Sequence, residues 1–110
     1  MIHETIRRIE KNLLENETIG DTRKKELLEL VDRLKGEIES LGEDNHEHAG
    51  SIASFTESSV REATRLQRDS ELLEHSLKGM SLSVRKFEVS HPALVGIINS
   101  IGQSLNSIGI

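Results

Sequence analysis

Leu27, Val31, Leu34, Ile38 and Leu41 follow one another at steps of four, three, four and three residues. That spacing tracks the turn of an α-helix and puts all five side chains on one stripe. A strand cannot use it, because alternate strand residues face opposite ways and the set would be split between two faces. The stripe predicts a helix over residues 22–41. The same steps at Ile2, Ile6, Ile9 and Leu13 predict one over 2–17, with Glu4 and Arg8 as an i,i+4 pair beside the stripe. Between them Gly20 reads as a stop, and Asp21 and Thr22 as side chains able to cap the next helix.

A third run keeps the register for longest: Ala49, Ile52, Thr56, Ser59, Ala63, Leu66, Ser70, Leu73, Leu77, Met80, Val84 and Phe87. One long helix would satisfy it. Two features favour a break into helices over 47–67 and 70–89. The middle positions Thr56, Ser59, Ala63 and Ser70 are small or polar, and Asp69-Ser70 is a cap signal ahead of Leu72-Leu73. Gly79, costly in a helix interior, is expected to mark the close approach of another backbone. Ser90 or His91 then caps a last helix over 92–108, with Pro92 in its first turn, where no N–H is needed. Its stripe is Leu94, Ile98, Ile101, Leu105 and Ile108, and Gly109 is placed to close it.

Composition agrees with helices and narrows the core. The 110 residues make one domain, 35% hydrophobic, with Phe55 and Phe87 as the only aromatics, so the interior is built from aliphatic side chains. The stripes of the first two helices are narrow, about two apolar residues in seven, the pattern of a coiled-coil seam. The expected architecture is an all-α antiparallel bundle or hairpin of four to five helices with coiled-coil-like packing, completed by homo-oligomerisation, with a dimer favoured.

Charge separates the chain into three parts. Residues 1–48 carry 13 acidic and 8 basic side chains, residues 49–90 carry 6 of each, and residues 91–110 carry none. No basic patch is present to neutralise phosphates, which argues against nucleic acid as a partner. The uncharged end lacks the Lys and Arg that draw amphipathic helices to anionic lipid, and no stretch reaches the ~20 apolar residues of a membrane span. The expectation is a cytoplasmic protein, with the uncharged helix enclosed by its own chain or by a second copy. Cysteine is absent, which removes disulfides and thiolate chemistry.

Few residues invite chemistry. His46 and His48 sit among Glu43, Asp44 and Glu47 in GEDNHEHAG (42–50), which reads as a polar loop running into a helix; imidazoles and carboxylates together are weak candidates for zinc or nickel ligands. The H-E-x-x-H spacing that sets two ligands on one helix face is missing. His91, three residues beyond Glu88, is either a pH-sensing or catalytic pair with it, or part of a hinge in which Glu88, His91 and Pro92 fix the angle between two helices. The hinge is favoured. Glu62 and Arg65 read as a surface ion pair. Neither G-x-S-x-G nor a nucleotide-binding pattern occurs, so no enzyme activity and no cofactor are expected.

The segments SIASF, EATR, FE-x-S-H-P and the closing LNSIGI resemble a bacterial family of small helical proteins, domain of unknown function 4404. Its most specific part is matched by Phe87, Glu88, Ser90, His91, Pro92, Gly109 and Ile110. The resemblance implies a helical fold and brings no reaction with it. Members with Asn-Pro near Asp69-Ser70 start the helix there more sharply than this chain does. The function expected is a non-catalytic helical interaction or scaffold module docking a protein partner, with a metal- or small-ligand-binding protein as the alternative. Phe87, Glu88, His91, Pro92 and the last stripe, with Gly109, are the expected structural or interface residues.

Overall fold

In the computed structural model, which describes residues 2–108, the aliphatic stripes become α1 (Ile2–Glu15), α2 (Asp21–Ser40), α3 (His46–Ala63), α4 (Ser70–Ser83) and α5 (Pro92–Asn106). Short 3-10 turns at Glu43–Asn45 and Arg85–Phe87 precede α3 and follow α4. The fold is all-α, and no strand occurs among the described residues. Gly109, expected to cap α5, and Ile110 lie outside the described residues.

All the helices but α2 are shorter than their stripes suggest, and the side chains of Asn16, Thr64 and Asp69 set three of the ends. α1 stops at Glu15 instead of residue 17 because the Asn16 side-chain oxygen accepts bonds from the Thr18 N–H (2.9 Å), the Thr18 hydroxyl (2.7 Å) and the Ile19 N–H (3.1 Å). Those bonds hold the backbone in a turn that competes with the helix. α2 is entered from Gly20 with no side-chain cap, so the expected capping by Asp21 or Thr22 does not occur. Asp21 instead sits in the first turn, where the helix dipole favours an acid. After α2, Gly42 takes φ 79° and ψ 172°, a conformation open essentially to glycine alone.

α3 ends at Ala63 rather than residue 67. Thr64 returns its hydroxyl to the Val60 carbonyl (2.8 Å), and Leu66, placed by its spacing on the buried stripe, is 94% exposed. α4 begins after Asp69, whose carboxylate accepts from the N–H groups of Glu71 (3.0 Å) and Leu72 (3.1 Å). It stops at Ser83 rather than residue 89, and the 3-10 turn that follows carries Phe87 into the core. α5 starts at Pro92 with His91 as its flanking residue, and neither the Ser90 nor the His91 side chain bonds the free N–H groups.

Helix contacts run in a circuit, α1 to α2 to α5 to α4 to α3 and back to α1, with α3 also touching α5 across the interior. The small face of α3 makes this possible. Ala49, Ala53, Thr56, Ser59 and Ala63 are all buried, so their size lets three helices approach closely, and the expected break falls after them, between Ala63 and Ser70. The Thr56 hydroxyl is satisfied by the Ile52 carbonyl at 2.7 Å, while the Ser59 hydroxyl has no partner among the described residues.

The uncharged helix is enclosed by its own chain. Leu94, Ile98, Ile101 and Leu105 are essentially inaccessible, facing α2, α4 and α3. Each such side chain contributes roughly 1.5–3 kcal/mol on burial. Guanidinium groups come to its C-terminal end from elsewhere: Arg23 donates to the Ser104 carbonyl (3.0 Å) and Arg68 to that of Ile108. Cations there suit the negative end of the helix dipole. No helix among the described residues is long and apolar enough to cross a membrane.

Candidate functional site

α3 and α4 run antiparallel and in register. Three contacts fix the alignment: Ser58 with Ser76 (hydroxyls 3.1 Å apart), Phe55 against Gly79, and His48 with Lys86 (Nε2 to Nζ 3.1 Å). At Gly79 the neighbour is a side chain and not the expected backbone. A β-carbon there would lie 2.3 Å from the Phe55 ring, so the glycine is what lets the ring come this close to α4.

One consequence is an apolar patch on the outside of the hairpin. Phe55 is 41% exposed and Leu82 52%, and together with Gly79 they line a groove edged by His48, Arg85 and Lys86. No acidic side chain lines it. Both apolar residues sit off the buried stripes of their helices. Phe55 lies between the inward-facing Ile52, Ala53 and Thr56, and Leu82 between Met80 and Val84. That offset was the available signal, and following only the buried stripes passed over it.

The histidines expected to act together do not. Within the first turn of α3, His46 and His48 are two residues apart on a helix rather than on a loop, so they point in different directions. His46 borders a groove with His3, Ile6 and Glu43, whereas His48 meets Lys86 and stands edge-on to the Phe87 ring, centroids 5.8 Å apart. His91 stands edge-on to Phe87 as well, at 5.6 Å. No group of three or more His, Cys, Asp or Glu side chains is arranged to hold a metal ion among the described residues.

Glu88 and His91 are not hydrogen-bonded to each other. The His91 Nδ1 pairs with the Ser90 hydroxyl at 2.9 Å, and the His91 N–H donates to the Phe87 carbonyl at 2.8 Å. Buried Phe87 thus anchors a tight turn, which Pro92 converts directly into α5. Leu94, Ile98, Ile101, Leu105 and Ile108 belong to the chain's own core and offer no outer surface.

Two ion pairs lie on the surface among the described residues. Arg8 holds Glu57 with contacts of 2.6 and 3.3 Å, tying α1 to α3, and Arg65 holds Glu62 at 2.8 Å. Each carboxylate raises its arginine above the ordinary value, chiefly through the hydrogen bond. Arginine is already fully charged at neutral pH, so these shifts make no acid or base for chemistry. A family model described as a domain of unknown function (DUF4404) matches residues 2–110. No curated protein and no solved structure matches the chain.

Proposed function

The chain belongs to the DUF4404 family, a domain of unknown function, and from that premise we propose that it is a non-catalytic helical interaction module whose working surface is the outside of the α3–α4 hairpin. The observation that carries this is the groove of Phe55, Gly79 and Leu82, apolar at its centre and basic at its edge. Contiguous apolar surface rimmed by polar side chains is the mark of a protein-docking site. Supporting it, His48 and His91 both stand edge-on to the buried Phe87, so their rings serve the packing of the turn between α4 and α5.

A photo-reactive side chain at Ser51, on the groove wall, provides the test. Crosslinking in extract from the native host is expected to capture a discrete set of proteins with the otherwise unaltered chain. That set should disappear when Leu82→Glu places a charge in the apolar centre. Capture that is indifferent to Leu82→Glu, with the fold shown intact by circular dichroism, would overturn the reading.

A further inference from the structure

We infer that the occupant of this surface is a second copy of the same chain, docked antiparallel across a two-fold axis near Gly79. The inference rests on the interaction reading above and names its partner. Along α4, Leu72, His75, Gly79 and Leu82 recur at steps of three, four and three, a second stripe on the side away from the core residues Leu73 and Met80. Leu72 is 45% exposed, so with Phe55 and Leu82 it gives three large apolar side chains on one hairpin that the chain leaves uncovered. Spacing of this kind is what one helix presents to another in a helical pair.

Charge selects the partner and its direction. The N-terminal end of the stripe is acidic, with Asp69, Glu71 and Glu74, and the C-terminal end is basic, with Arg85 and Lys86. All five are exposed. A two-fold axis at the middle of such a surface brings the acidic end of each copy onto the basic end of the other, so one patch is its own complement. A parallel pairing would set like charges together, which costs several kcal/mol in interfaces. A foreign acidic helix would answer only the basic half, whereas a second copy answers both. At the axis Gly79 adds no side chain of its own, and the Phe55 rings of the two copies meet there.

Sedimentation equilibrium on the full chain reads the outcome. The unaltered chain is expected to be a dimer, and Leu82→Glu a monomer. Glu71→Lys with Glu74→Lys reverses two of the three charges of the acidic end, and Arg85→Glu with Lys86→Glu reverses those of the basic end. Each pair should weaken self-association by roughly tenfold or more, while an equimolar mixture of the two variants should form a heterodimer. All substituted positions are exposed, and circular dichroism verifies the fold of each variant. A chain that is monomeric at every concentration, or a dimer unmoved by Leu82→Glu and by both charge variants, overturns the inference. A monomer whose groove still captures a foreign protein would overturn the dimer while leaving the interaction reading in place. A groove-dependent dimer without foreign capture would sustain the inference and confine the interaction to self-association.

Discussion

At the scale of single residues, two positions on α3 invite opposite manipulations. Ser59 is fully buried with its hydroxyl unpaired, and an unsatisfied buried polar group costs roughly 1–3 kcal/mol. Ser59→Ala removes the group and improves helix propensity, so it should stabilise the protein by about 1 kcal/mol. Chemical denaturation would register this as a higher midpoint at unchanged slope. Phe55 and Gly79 behave as one unit, because the ring occupies the space an added methyl would take. Gly79→Ala alone must displace the ring, but in a Phe55→Ala background it meets no such obstacle and gains the usual ~1 kcal/mol of alanine over glycine in a helix. A double-mutant cycle is expected to show coupling of about that size, and additive effects would contradict the contact.

Whole elements depend on their ends. Asp69 supplies two hydrogen bonds to the first turn of α4, and Asp69→Ala should cost about 1 kcal/mol, seen in hydrogen exchange first as lost protection around residues 70–74. Helix existence was legible in the sequence wherever an aliphatic stripe ran: Leu27, Val31, Leu34, Ile38 and Leu41 are all buried as their spacing requires. Helix ends were less so. Asn16 and Thr64 terminate helices through local bonds from a polar side chain to nearby backbone, and the periodicity of the apolar residues carries no trace of them. On α3 the same property had two meanings: small residues suggest a weak helix in isolation but a close-packed one when three neighbours press against it. The outer patch was hidden for a related reason. Spacing reveals the stripe a helix buries, whereas Phe55 and Leu82 matter because they stand off that stripe.

For the molecule as a whole, the uncharged character of residues 91–110 was readable as enclosure, and the structure supplies the enclosing surface from the chain itself. Removing everything after Ser90 would therefore strip the core of Leu94, Ile97, Ile98, Ile101 and Leu105 rather than release a monomer from an assembly. Such a truncation is expected to lose cooperative thermal unfolding and to expose surface that binds a hydrophobic dye. A truncated chain that still melts in one sharp transition would contradict the core described for α5.

The closed circuit of helices also sets an order in time. α1 and α2 can meet as soon as they are made, and so can α3 and α4, since each pair is joined by a short connection. α5 touches both pairs, and its contacts with α2 span the greatest distance along the chain. During synthesis the two hairpins must wait, each with an apolar side uncovered, until residues 92–106 leave the ribosome. α5 is made after the four helices it locks together, and the interval before its arrival is when their apolar sides are most open to misassembly.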